Sequence, residues 1–379
     1  MKKDMLRYHD IQVDVVNQAD DDIRNHISRT VLGTPGGLIY RLVDTVNKLG
    51  SMGQVYFINL RKGTRLLGTA GLAHRMVKNG SKAYSSYYIR YFSIFAPLRV
   101  KTYKERKKEL KETKSRENPF TKNSIIKDKV ILFFDNMADL NDNSVPPGTK
   151  SFSFAFIENK NLRSLDFSSM MGYITTREFA TLIFSRFYPK KNENVDFAKP
   201  EEKTEILEKL QTTYSEYSAF YSDHIFYKDQ YFVYKEKGEI IAGVQANVVE
   251  WKILEFPGRN GAFLMKLIPK LPLMSKLFQP GSFKFAAFEG VFYKPGKEKL
   301  VLSLLESACA MLGVNVGLSW MDTGSHIFSD LGNVGNMGFL GHVMKSQPAV
   351  VRVKFLDIPE ADQKEFFEKP AYISVFDMT

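Results

Sequence analysis

Residues 283–300, FKFAAFEGVFYKPGKEKL, decide how the rest of the chain is read. Phe283–Tyr293 is apolar, aromatic and free of proline, which predicts a strand. Pro295-Gly296 then turns directly into Lys297-Glu298-Lys299-Leu300, where an apolar helix running to Leu312 begins. The first amides of a helix have no intrahelical partner, so a helix opened by such a turn offers N–H groups to phosphate oxygens. A second strand, Val314–Met321, follows, then the polar break Asp322-Thr323-Gly324-Ser325, a short helix and Met337-Gly338-Phe339. Two strands flanking such a helix predict a cleft for a phosphorylated cofactor.

The 379 residues are enough for two domains, which we divide as 1–190 and 191–379, with the polar, proline-bearing run Pro189–Glu202 as linker. A hydrophobic content of 44%, with 13% aromatic, gives both halves a core. The net charge of +11 implies an acidic partner: a phosphorylated cofactor, nucleic acid or an anionic membrane. Much of the excess lies between Arg99 and Lys129, where 12 Lys/Arg face 5 Asp/Glu; this reads as a solvated helical loop. The single cysteine, Cys309, excludes an internal disulfide and falls mid-helix, as a buried small hydrophobe would. The histidines show no metal-ligand spacing, so no metal is expected. Met1-Lys2-Lys3-Asp4 leads into no apolar run, and no stretch of about 18 apolar residues occurs. A cytoplasmic protein is expected.

Taken in order, the chain predicts a strand at Ile11–Val16 and a helix from Ile23 capped by the aspartates before it. Gly33-Thr34-Pro35-Gly36-Gly37 lacks the Gly-Lys-Ser/Thr of a phosphate loop and reads as a connection into a helix, Leu38–Leu49. A hairpin, a strand Tyr87–Leu98, a helix Ser124–Met137, a strand Ser151–Ile157, a helix Leu162–Met171 and a strand Phe179–Phe187 complete the first half. The second half repeats it. Tyr56–Gly68 (YFINLRKGTRLLG) aligns without a gap on Tyr231–Gly243 (YFVYKEKGEIIAG), both hairpins with a Lys-Gly turn. The second half adds an insertion, Phe263–Phe278, in which lysines interleave with large apolar residues and two prolines break any long helix. We read it as a wall over the cleft; lying on a membrane surface is the other reading.

This order of elements resembles, twice over, the GNAT superfamily of acetyl-CoA-dependent N-acetyltransferases. The residues that carry the likeness are Glu158-Asn159-Lys160-Asn161-Leu162-Arg163-Ser164 leading to Gly172-Tyr173, then Tyr293–Leu300 with Met337-Gly338-Phe339. The resemblance implies an α/β (α+β) chain of two tandem GNAT-like domains, each a mixed, mostly antiparallel sheet flanked by helices. It implies acetyl-CoA or another acyl-CoA held between two splayed parallel strands, and transfer of the acyl group to the amine of a small molecule or peptide. Such transfer needs a neutral amine, a polarised carbonyl and a proton for the leaving thiolate. Glu289 is placed to act as the base and Tyr293 as a proton donor. Cofactor contacts are expected from Val291, Tyr293, Gly296, Lys297, Glu298, Lys299, Leu300, Asp322 and Ser325. Ser325 is a second proton donor to consider, and His326 reads as a capping residue.

The chain also departs from the family. Neither half carries the usual Arg/Gln-x-x-Gly-x-Gly/Ala pyrophosphate loop; the second keeps only Gly296, and Pro97–Lys101 in the first has no glycine at all. The family's catalytic tyrosine is replaced by Ser168 in the first half and Val334 in the second. The first domain is therefore expected to be degenerate and the second to bind acyl-CoA. Two other classes stay open. One is a tandem transferase that takes an aminoacyl group from charged tRNA held by Arg99–Lys129. The other is a non-catalytic module binding a membrane or protein through residues 263–278.

Overall fold

The computed structural model describes residues 2–8, 10–94, 125–140, 144–258, 261–344 and 348–379. Most of the basic segment Arg99–Lys129, and with it the RNA reading, lies outside the described residues. Among the described residues fourteen strands form one sheet: β1 (Lys2–Tyr8), β2 (Ile11–Val16), β3 (Ile39–Leu42), β4 (Val55–Lys62), β5 (Arg65–Asn79), β6 (Lys82–Ile94), β7 (Lys150–Glu158), β8 (Ile174–Ser185), β9 (Val195–Phe197), β10 (Tyr231–Glu236), β11 (Glu239–Glu255), β12 (Phe283–Tyr293), β13 (Val316–Asp322) and β14 (Ala349–Phe355). Their spatial order is β1-β2-β4-β5-β6-β7-β14-β8-β13-β12-β11-β10-β9, with β3 added beside β11. Every pairing is antiparallel except β6 with β7 and β12 with β13. The mixed, mostly antiparallel sheet with flanking helices is the expected one.

The repeat seen in the sequence is a repeat in space. The hairpins β4–β5 and β10–β11 hold the same place, each handing on to a long strand (β6, β12) that pairs in parallel with the next (β7, β13). Lys237 and Gly238 both have positive φ, as a tight two-residue hairpin turn requires.

The last strand of each half crosses over. β8 pairs with β13 of the second half, β14 pairs with β7 of the first, and β8 and β14 join antiparallel at the centre. Gly338 makes one crossing possible. The amide of Ser185 donates to the Met337 carbonyl at 2.8 Å, and a Cβ on Gly338 (φ +106°) would stand 1.9 Å from the Ser185 carbonyl oxygen. Only glycine fits there.

Two cores result. The larger runs across both halves and includes Phe57, Tyr88, Phe154, Phe184, Phe285 and Trp320; the smaller covers the other face of the first half, around Tyr87, Phe134, Met171 and Tyr173. Tertiary pairing overrides local pattern in two places. The expected helix over 38–49 is instead β3 followed by a short helix, Thr45–Leu49. Its strand part is held by pairing with β11 and by Tyr40 stacked on Trp251, centroids 4.0 Å apart. The run 189–202, read as a linker, contains β9 paired with β10.

Candidate functional site

β6 and β7 pair from Tyr84 opposite Lys150 to Tyr88 opposite Phe154, and then part. At the parting point β6 carries a bulge: Arg90 faces Gly71 and Ser93 faces Thr69, so Tyr91 and Phe92 share one partner position, with Tyr91 at φ +55°. A bulge takes backbone groups out of the ladder and re-aims the strand. Between the diverging strands lies a cavity of about 660 Å³, within the range of about 300–1,000 Å³ typical of small-molecule sites. Its walls include Tyr88, Tyr91 and Phe179 from one core and Phe134, Met171 and Tyr173 from the other, so it passes through the sheet.

Polar groups punctuate these aromatic walls, with Arg90, Glu158 and Lys160 the charged ones. Thr34 Oγ1 donates to Glu158 Oε2 at 2.6 Å, and Asn161 caps the helix Leu162–Met170 by accepting from the Ser164 amide. Ser168 turns inward, its hydroxyl donating to the Leu165 carbonyl. Arg90 is buried, lies 4.5 Å over the Tyr91 ring and donates to the Thr379 carbonyl at 2.6 Å. Outside the lining, Lys48 donates to the same carbonyl and to the Thr379 hydroxyl, at 2.5 and 2.6 Å, and burial holds its pKa well below the ordinary lysine range. Burial likewise pushes the Tyr40 hydroxyl up. Behind Thr379, the buried pair Arg75–Asp377, 2.7 Å apart, accepts a further hydrogen bond from Tyr221 through its carboxylate.

The second half has the same gap, closed from within. β12 and β13 pair only at Ala286–Gly317 and Ala287–Leu318, and a matching bulge puts Gly290 (φ +57°) and Val291 opposite one position of β11. The space is taken by side chains. Ser319 Oγ bridges the parted strands to the Phe288 carbonyl at 2.9 Å; Tyr214 donates to the Val291 carbonyl at 2.9 Å and Tyr231 to the Gly290 carbonyl at 2.8 Å. The segment 371–377 fills what is left, and the remaining pocket measures about 20 Å³.

The residues expected to form a site are thus occupied by the chain itself. Glu289 is buried, with Oε1 accepting from the Tyr372 hydroxyl at 2.8 Å and Oε2 from the Phe376 amide at 2.7 Å. Burial pushes its pKa up to about 7, against these two donors, which favour the charged form. Tyr293 donates to Asp330 Oδ2 at 2.6 Å, and burial with that bond raises its pKa. Asp322 receives both ends of the Arg177 guanidinium at 2.9 Å and the Ala371 amide, while Ser325 donates to the Asp322 carbonyl and caps the helix His326–Asn333. Val291 is a core residue.

The Pro-Gly turn is exposed, yet its phosphate-binding amide is in use: Gly296 N–H donates to Glu298 Oε1 at 2.7 Å. A carboxylate stands where a phosphate oxygen was expected. Lys297 is paired with Glu236 at 2.8 Å, Lys299 is exposed, and Leu300 packs against the larger core. The structure brings Glu289, Asp322 and Ser325 together around the small pocket, and leaves Gly296–Leu300 outside its lining.

Sequence reasoning missed the loop Gly33–Gly37, Tyr40 and Arg90 as cavity residues. Gly33, Thr34 and Gly37 all line it, although the loop reads as a plain connection. Arg90 carried a signal: one arginine inside the aromatic strand Tyr87–Phe92 has no reason to be there unless something buried needs it.

No protein-family model and no curated protein sequence matches the chain. Solved structures do. The N-myristoyltransferase of Saccharomyces cerevisiae with bound myristoyl-CoA is 9% identical, with a TM-score of 0.54 over 93% of this chain and 84% of that one. The same enzyme with myristoyl-CoA and inhibitors is 10% identical, with a TM-score of 0.53 over 92% of this chain and 80% of that one. A GCN5-related N-acetyltransferase from Sphaerobacter thermophilus also matches, at 10% identity and a TM-score of 0.42 over 79% of this chain and 80% of that one. The fold is therefore the tandem GNAT-like fold that N-myristoyltransferase has.

Proposed function

We propose that this chain is an acyl-CoA-dependent N-acyltransferase, and that its donor site is the cavity between β6 and β7 rather than the gap beside Glu289. One observation carries the placement: of two equivalent gaps, the first opens into about 660 Å³ and the second is reduced to about 20 Å³ by its own side chains. The reading reverses the expectation that the first half is the degenerate one. The apolar, aromatic walls favour an acyl group longer than acetyl.

In this reading the amides of the Tyr91–Phe92 bulge, at the point where β6 leaves β7, are the groups that polarise the thioester carbonyl. Glu158, the carboxylate among the described wall residues, takes the proton from the acceptor amine, with Thr34 fixing its orientation. Arg90 keeps the floor of the cavity rigid through Thr379.

The test is calorimetric titration with acyl-CoAs of increasing chain length. A buried methylene contributes about 0.8 kcal/mol, so affinity is expected to rise about four-fold per added carbon until the cavity is full. Ala155→Trp, which fills the cavity from β7, should abolish the gain. Glu158→Gln should lower kcat with little effect on acyl-CoA affinity. Equal affinity for acetyl-CoA and a long-chain acyl-CoA, or indifference to Ala155→Trp, sinks the assignment.

A further inference from the structure

The insertion between β11 and β12 has two apolar faces, and only one of them is used. Its helix Gly261–Leu267 and the turns that follow point Met265 and Ile268 at the larger core, while Leu277 and Phe278 are buried and anchor the far end. Phe263, Leu267, Leu271 and Leu273 point the other way and are 63%, 37%, 42% and 48% exposed. Four large exposed hydrophobics within eleven residues form a patch, where scattered single ones would need no explanation.

Charge identifies what covers the patch. From Phe256 to Phe288 the chain has no acidic residue, while Lys266, Lys270, Lys276 and Lys284 lie along it. Lys266 and Lys270, beside the exposed leucines, form no ion pair with any described residue. Lys276 lies 3.8 Å over the exposed Tyr188 ring, and Lys284 stands 3.9 Å from Glu250, a carboxylate also held by Ser282. Glu255, at the end of β11, is the nearest acidic residue in the sequence. Lysines have apolar stems and charged ends, so beside exposed Phe and Leu they suit an interface that is greasy below and anionic above. The prolines at 269 and 272 keep the stretch as short turns spread across the surface.

We propose that residues 261–277 dock the protein on an anionic membrane surface, with Phe263, Leu267, Leu271 and Leu273 entering the headgroup region and Lys266 and Lys270 meeting the lipid phosphates. The proposal is independent of the acyl-CoA assignment, though the two are neighbours in space. Phe278 packs on Phe256 and Phe283, at 5.3 and 5.4 Å, and both of these line the cavity. Phe278, which follows the docking segment, thus ties it to the cavity wall.

The experiment is co-sedimentation of the full chain, without acyl-CoA, with vesicles of phosphatidylcholine alone or with added phosphatidylserine. Binding is expected to the anionic vesicles and to disappear in 1 M salt, where the screening length falls to about 3 Å. Lys266→Gln and Lys270→Gln should each weaken partitioning about five-fold, and Phe263→Ser with Leu271→Ser should remove it. All four side chains leave the core untouched, and an unchanged melting curve for each variant establishes that the fold is intact. Failure to sediment with either vesicle, equal binding to neutral and anionic vesicles, or binding unchanged in the Phe263→Ser, Leu271→Ser double variant overturns the proposal.

Discussion

Glu289 should make the stability of this protein depend on pH in a way that a surface carboxylate would not. Its carboxyl is fully buried in the closed second gap, and its pKa is pushed from 4.5 up to about 7. A carboxyl whose pKa is raised by folding costs nothing below the unfolded value. It destabilises progressively as the pH rises from about 4.5 to 7. At 1.36 kcal/mol per unit, the cost is about 3 kcal/mol at pH 8 and under about 1 kcal/mol at pH 5. His224 works in the opposite sense in much of the same window: burial lowers its pKa to about 4, so it costs stability as the pH falls below about 6.5. Wild-type stability alone would show only the residue of two opposed trends. The informative quantity is the difference between wild type and Glu289→Gln, in which His224 cancels. Urea unfolding of both proteins at pH 5, 6, 7 and 8 should show the variant gaining about 2–3 kcal/mol relative to wild type across the range. A difference that stays constant within about 0.5 kcal/mol would refute the reasoning, because it would mean that Glu289 titrates as an exposed group.

Other outcomes follow from the same geometry. Asp377→Ala leaves the Arg75 guanidinium buried without its partner and should cost about 3–5 kcal/mol, read by thermal or urea unfolding. Gly296→Arg should leave acyl-CoA affinity unchanged, since the turn is exposed, lies outside the lining of the wide cavity and leaves open space around an added Cβ; the positive φ should cost about 1–2 kcal/mol of stability. Loss of binding in that variant would return the donor site to the second half. Gly338→Ala drives a methyl into the Ser185 carbonyl and should destabilise by several kcal/mol, with hydrogen exchange accelerating first at the end of β8.

The fold was legible because its signals are local and repeated. The matched hairpins at Tyr56 and Tyr231, the Asp20 cap on the helix Asp21–Ser28 and the aromatic strands before each bulge all report on contacts close in sequence. Residues 39–42 were not legible, because nothing in Ile39-Tyr40-Arg41-Leu42 announces a partner at Trp251. The site was harder for a related reason. Lys297, Lys299 and Gly296 look like a phosphate cradle in sequence, and the sequence does not show that the Gly296 amide bonds a carboxylate two residues on and Lys297 pairs with Glu236 from another strand. Which of two similar gaps is open depends on Tyr214, Ser319 and Tyr372, which lie far apart in the chain. The wide cavity is framed by aromatic strands and a glycine loop with no recognisable motif, so its walls read as ordinary core.

The crossing of β8 and β14 also sets an order of events at the ribosome. β7 ends at Glu158 and its partner β14 begins only at Ala349. At about 5–20 residues per second of synthesis, the newly made edge of β7 waits on the order of ten seconds or longer for its neighbour. During that interval it presents unpaired backbone groups, as does β8 until β13 arrives. A nascent chain stalled near residue 190 is therefore an aggregation hazard and a natural client for chaperones. Two full chains refolding at high concentration can satisfy the same edges by trading β14 between them, giving an intertwined dimer from a sequence that, when dilute, closes on itself.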